Sequence, residues 1–221
     1  MIKVIVFDWN GTLIADTKAC MDTDNYILKV FGGRQINLKT YRDTIIIPSI
    51  EFYVQHGCKR EQLLTETKKW GEEFHSHYEP RAAKVRTRQN ARKLMDWLLK
   101  NKIELIILSN HTILGIESQL KRLRIEKYFS KVLANEAQDI SNKSRNKKEK
   151  LEEWLHSYKL KKNEVMIVGD APEEVEMGKS IGIKTVAITG GYYATHRLVA
   201  SKPDYLINNL SQVIDIVAKS F

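Results

Sequence analysis

Along the chain, short runs of consecutive apolar residues alternate with longer stretches in which apolar positions recur every three or four residues. The runs Ile2 to Phe7, Ile103 to Leu108, Val132 to Ala134 and Val165 to Val168 are brief and rich in β-branched residues. That is the signature of strands buried on both faces of a parallel sheet. The stretches Ala91 to Leu99 and Ile113 to Leu123 carry the helical period. Strand and helix in alternation predict an α/β fold.

Between the first run and Gln89 the pattern is helical for roughly seventy residues, too many for a loop, so an inserted helical domain is expected there. Its helices should cover Thr17 to Phe31, stopped by Gly32-Gly33, then Leu38 to Thr44. A third, capped by Ser49 after Pro48, should run through Ile50, Phe52, Tyr53 and Val54 to Gly57. A longer one should span Glu61 to Tyr78, with Glu79-Pro80-Arg81 as the exit linker. A last strand, Asp204 to Ile207, and a helix from Leu210 to Lys219 complete the sheet.

Composition narrows the class. At 221 residues with 43% hydrophobic and 29% charged positions, the chain can bury a substantial core. No stretch approaches the roughly 18 apolar residues of a membrane helix, and the expected location is cytoplasmic, without membrane contact. Cys20 and Cys58 form neither a disulfide framework nor a zinc set. The net charge of +9 would suit a polyanion if focused on one face, but its densest stretch, Lys143 to Lys150, is short, and no nucleic-acid partner is expected.

The strand ends carry the candidate chemistry. Asp8 closes the first apolar run, where ligands of open α/β sheets bind, although an Asp there can also cap a following helix. Asn10-Gly11 supplies a tight turn. Ser109 and Asn110 follow the second strand, and Ser109 could equally be a turn former. Gly169-Asp170 closes a later strand, with Glu174 four residues on. Lys143, Lys147, Lys148 and Lys150 crowd the start of the preceding helix. His75 and His77, two apart, do not share a helix face as a metal pair should. Trp70, Phe74 and Tyr78 form a stripe, for packing first and as a substrate wall second. Lys18, Arg34 and Arg42 could meet an anionic substrate, but each reads first as surface charge.

Asp8-Trp9-Asn10-Gly11-Thr12 resembles the first motif of the haloacid dehalogenase superfamily, Asp-x-Asp-Gly-Thr, with Asn10 in place of the second Asp. Ser109 matches the second motif and Gly169-Asp170 with Glu174 the fourth. For the third-motif lysine the offset from Leu151, Trp154 and Leu155 favours Lys147, with Lys148 next. The resemblance is to the helical-capped, phosphoglycolate phosphatase-like members. It implies a Rossmann-like parallel core, residues 1–15 and 86–221, with an all-helical cap at 16–85. It also implies a Mg²⁺-dependent phosphatase for a small phosphorylated metabolite, working through an aspartyl phosphate. Asp8, Asn10, Ser109 and Lys147 would be its catalytic set, with Trp9 and Asn110 binding substrate. Asp8, Asn10 through its carbonyl, Asp170 and Glu174 would bind the metal. Asn10 cannot exchange a proton near neutral pH, so Asn10→Asp is expected to raise turnover of alkyl phosphates. The alternatives are a phosphate-binding pseudo-enzyme, and phosphonate or carbon–halogen hydrolysis.

Overall fold

The computed structural model describes residues 1–136 and 147–219. Six strands, β1 (Val4–Phe7), β2 (Glu104–Thr112), β3 (Lys131–Asn135), β4 (Val165–Gly169), β5 (Lys184–Ile188) and β6 (Tyr205–Ile207), form one sheet in the order β3-β2-β1-β4-β5-β6. Every pairing is parallel. This is the doubly wound order, whose direction of growth reverses between β1 and β4, and the crevice of such a sheet opens there.

Both sheet faces are covered, which explains the unbroken apolar runs. Within β1, Ile5 and Phe7 join the core on one face while Val4 and Val6 join the core on the other, and all four are buried. Helices α6 (Ala91–Lys100), α7 (Ile113–Leu123) and α11 (Gln212–Ala218) supply the first core. Helices α8 (Lys147–Ser157) and α9 (Pro172–Ile181) supply the second. A short α10 (Thr195–Ala200), which the sequence pattern did not reveal, precedes β6.

The insertion between β1 and α6 is all-helical: α1 (Thr17–Val30), α2 (Leu38–Thr44), α3 (Ser49–Gln55), α4 (Arg60–Thr65) and α5 (Thr67–Ala82). Its core, including Ile27, Leu28, Tyr41, Phe52, Tyr53 and Leu63, is continuous with Ala171, Val175, Tyr193 and Leu198 of the sheet domain. The cap therefore sits over the carboxyl ends of β4 and β5.

Three expectations are corrected. The helix expected at Glu61 to Tyr78 is two helices, broken at Glu66. The Leu63 carbonyl there accepts from the Trp70 indole N–H at 3.0 Å and the Thr67 hydroxyl at 3.1 Å, side-chain partners that draw it out of the helical ladder. The exit linker Glu79-Pro80-Arg81 is helical instead, and α5 continues through Pro80 to Ala82. Ala82 is fully buried with Tyr78 and Cys20, so packing overrides proline's preference. Ser49 does not cap α3; it is the first helical residue, after Pro48.

Candidate active site

Asp8 leaves β1 at the reversal point and Asp170 leaves the neighbouring β4, so the topology brings the two carboxylates together. The loop between them is tightly specified. Gly11 has φ of +71°, and a Cβ there would collide with the Asp170 carboxylate. A Cβ at Gly191, in the loop after β5, would collide with the same group. Backbone thus closes on Asp170 from two sides, and the Tyr192 N–H donates to its Oδ2 at 2.5 Å.

Thr12 Oγ1 stands 3.1 Å from Asp8 Oδ2 and 3.0 Å from Asp170 Oδ1. A hydroxyl has one hydrogen, so it can donate to one of these carboxylates at a time. Both acids are buried. Burial, with the Asp8 charge next in weight, pushes Asp170 up to about 7 against its bonds from Tyr192 and Thr12. Burial also raises Asp8, opposed chiefly by Lys147.

Lys147, in the first turn of α8, reaches this pair. Its Nζ lies 2.9 Å from Asp8 Oδ1, 2.6 Å from Glu174 Oε1 and 3.6 Å from Glu173 Oε2. Although burial opposes its charge, Asp8 and Glu174 keep it protonated, well above the ordinary lysine range. Lys148 points instead to Glu152 at the surface, and Lys150 donates to the Ala134 carbonyl and Asn135 Oδ1. Lys143 lies outside the described residues.

Glu174, expected among the metal ligands, is engaged by the protein's own groups in this structure. Its Oε1 is on Lys147, and its Oε2 accepts from the Ala171 N–H at 3.2 Å, capping α9. Both oxygens are engaged, and the extra methylene directs the carboxylate at the ammonium. Trp9, expected to bind substrate, has its side chain fully buried in the sheet core, its indole N–H donates to Gln119 Oε1 at 3.1 Å, and it is not among the residues that line the cavity. In a parallel strand continuing past Phe7, the position after Asp8 faces the packed side.

Asn10 faces a network the sequence did not reveal. Its Nδ2 donates to Asp16 Oδ2 at 2.8 Å and to the Tyr78 hydroxyl oxygen at 2.7 Å. Asp16 Oδ2 also accepts from the hydroxyls of Tyr78 at 2.6 Å and Tyr192 at 2.7 Å, and its Oδ1 accepts from the Gly11 N–H at 2.7 Å. A carboxylate only accepts, so the amide nitrogen must be the atom turned toward Asp16, which leaves Oδ1 toward Ser109 Oγ at 3.5 Å. Ser109 Oγ accepts from the His111 N–H at 3.1 Å, and Asn110 Nδ2 approaches Glu173 at 3.4 Å. Rather than ending at Leu108, β2 runs irregularly on to Thr112.

These groups floor a cavity of about 280 Å³ between sheet and cap, lined by Asp8, Asn10, Ser109, Asn110, Lys147 and Asp170 below. Trp70, Phe74 and Tyr78 of α5 form part of its wall, together with His75 and His111. The stripe thus packs and lines at once. His77 is instead stacked on Tyr26. Lys18 and Arg34 are exposed, Lys18 pairs with Asp22, and Arg42 donates to the carbonyls of Gly190 and Gly191.

The chain is similar along its length to several known proteins. It is 22% identical over 224 residues to pyrophosphatase PpaX of Bacillus mycoides, covering 99% of this chain and 98% of that one. Its fold resembles a haloacid dehalogenase-like hydrolase of Streptococcus pneumoniae, with a TM-score of 0.82 at 19% identity over 98% of each chain. It also resembles a predicted phosphoglycolate phosphatase of Haemophilus somnus, with a TM-score of 0.79 at 20% identity over 98% of each. The profile of haloacid dehalogenase-like hydrolases matches residues 5–188, from β1 to the end of β5, and the chain belongs to that family.

Proposed function

We propose that the protein is a Mg²⁺-dependent phosphatase that hydrolyses a small phosphorylated metabolite through an aspartyl phosphate on Asp8. One observation carries this reading: a buried carboxylate at the end of the central strand is held against a protonated lysine and faces a second buried acid across one hydroxyl. A divalent cation fits the residues present, because two hard carboxylates share one hydrogen and each is raised by burial, a mismatch that added positive charge would relieve. Among the described residues no cluster of three or more His, Cys, Asp or Glu side chains is arranged to hold a metal. In this reading Asp8, Asp170 and the Asn10 carbonyl would hold Mg²⁺, with water and substrate oxygens completing the shell. When bound, it would supply charge neutralisation at the phosphoryl oxygens.

The chain's own groups do the rest. Asp8 attacks phosphorus as the bond to the departing oxygen breaks, Lys147 offsets charge beside it, and Ser109 donates to a phosphoryl oxygen. Asn10 holds the loop and cannot supply a proton, so the departing oxygen takes its proton from water in the cavity. Water then hydrolyses the acyl phosphate and frees Asp8. The names of the relatives, pyrophosphatase and phosphoglycolate phosphatase, support phosphoryl chemistry on small substrates.

Asp8→Asn should reduce phosphate-ester turnover to background while the circular dichroism spectrum stays that of the wild type, because the change is isosteric. Undiminished turnover in that folded variant would overturn the reading.

A further inference from the structure

The cap reaches the buried acids through one peptide group. Arg42 lies in α2 of the cap, and its guanidinium is spent on backbone rather than left for an anionic substrate. Its Nε donates to the Gly191 carbonyl at 2.9 Å and its Nη2 to the Gly190 carbonyl at 2.8 Å. The Gly191 carbonyl and the Tyr192 N–H belong to the same planar unit. That N–H donates to Asp170 Oδ2 at 2.5 Å. A charged fork on one end of the peptide and a carboxylate on the other fix its plane, and each bond polarises the peptide in the sense that strengthens the other. With Oδ2 so held, Asp170 presents Oδ1 to Thr12, whose hydroxyl also stands against Asp8.

The surrounding contacts dock α2 firmly on this loop. The Arg42 carbonyl accepts from the Ala194 N–H at 3.0 Å, and Arg197 Nη1 donates to the carbonyls of Arg42 at 3.3 Å and Ile45 at 2.6 Å. Tyr41, the residue before Arg42, meets the Tyr192 ring edge-on with centroids 6.2 Å apart. Gly191 permits the close approach, since a Cβ there would collide with the Asp170 carboxylate, and the loop has no slack on that side. On the core side Arg88 braces the same loop, donating to the Thr189 carbonyl at 2.6 Å and to that of Gly11 at 2.7 Å. Arg42 is thus the cap's hold on the peptide that holds Asp170, whereas Arg197 docks the same helix through other carbonyls.

We propose that Arg42 is a positioning residue for Asp170: by fixing the Gly191–Tyr192 peptide from the cap, it couples docking of the cap to binding of a divalent cation at Asp8 and Asp170. This rests on the Mg²⁺ reading and deepens it. Such coupling is reciprocal, so the cation tightens the cap by the same factor by which the docked cap tightens the cation.

The test is titration calorimetry of Mg²⁺ into the full chain without substrate, for the wild type, Arg42→Gln, Arg42→Lys and Arg197→Gln. Arg42→Gln should raise the Mg²⁺ dissociation constant by about tenfold, the scale on which partners behind a metal ligand act. Arg42→Lys keeps the charge but cannot fork across two carbonyls, so its affinity should fall between those of the wild type and Arg42→Gln; it carries the test if the glutamine variant does not fold. Arg197→Gln should lower the melting temperature while keeping the wild-type affinity. Hydrogen exchange supplies the reciprocal measurement: Mg²⁺ should slow amide exchange across α2 in the wild type and not in Arg42→Gln. Wild-type affinity in the Arg42 variants, an equal loss of affinity in Arg197→Gln, or α2 exchange indifferent to Mg²⁺ in the wild type would each overturn the proposal and leave the phosphatase reading standing. A wild type that binds no Mg²⁺ would overturn the metal reading itself.

Discussion

At Asn10 and Asp16 an amide faces an acid: the carboxylate lies behind the loop, and the amide in front donates to it. Asp16 accepts from Asn10, Gly11, Tyr78 and Tyr192, so its charge is matched by four donors. Asn10→Asp would replace one donor with a second acceptor 2.8 Å away in a closed site. Beside the expected gain in turnover of alkyl phosphates, the change therefore carries an expected cost in stability. The variant should lose about 1–3 kcal/mol of stability, the usual cost of an unmatched buried polar group. Urea denaturation at pH 7.5 measures it, and the pair Asn10→Asp with Asp16→Asn should recover most of the loss by restoring a donor opposite an acceptor. A single variant as stable as the wild type would show that the amide orientation does not matter.

Among the helices, α1 holds a buried acid whose effect on stability depends on pH. Asp24 accepts from the hydroxyls of Tyr53 at 2.6 Å and Tyr41 at 3.0 Å, yet burial outweighs them and raises it to about 6. A carboxyl with a folded value of about 6 and an unfolded value of about 4 binds its proton more tightly when folded, so its contribution to stability falls as pH rises through that window and is constant above it. The loss is about 3 kcal/mol for a shift of this size. Asp24→Asn should flatten the melting temperature between pH 4 and pH 6 relative to the wild type; an unchanged slope would assign that pH dependence to other groups. The same scale separates what the sequence disclosed from what it hid. β1, β2 and β4 were legible because strands covered on both faces must be apolar throughout, and Asp8 and Asp170 because those runs fix where the strands end; Ser109 marks the end of the apolar run, inside a strand that goes on to Thr112. The continuation of α5 through Pro80 was hidden because it depends on Ala82 packing against Cys20, a contact far along the chain. Asp16 was hidden for the same reason, its partners Tyr78 and Tyr192 being 62 and 176 residues away.

For the molecule as a whole, the sheet order sets two acids side by side at the reversal between β1 and β4, and this would couple the proposed metal binding to pH. Asp170 is raised to about 7 without metal, so the metal-free protein loses stability from this group as pH climbs from about 4 to about 7. On the proposed reading, Mg²⁺ would bind the anionic forms and compete with that proton. Its addition should therefore raise the melting temperature more at pH 8 than at pH 5.5, and Asp170→Asn should abolish most of the difference. An equal shift at both pH values would place the cation elsewhere.

The position of β1 also bears on how the chain is made. β1 is central in the sheet yet first to be synthesised, and its β4 neighbour begins at Val165. At ribosomal rates of about 5–20 residues per second, one edge of the strand waits roughly 8–30 s for its partner. During that interval Val4 to Phe7 is a flat apolar edge capable of pairing with another nascent chain. Slowing translation between β3 and β4 should thus lower the soluble yield without altering the finished protein.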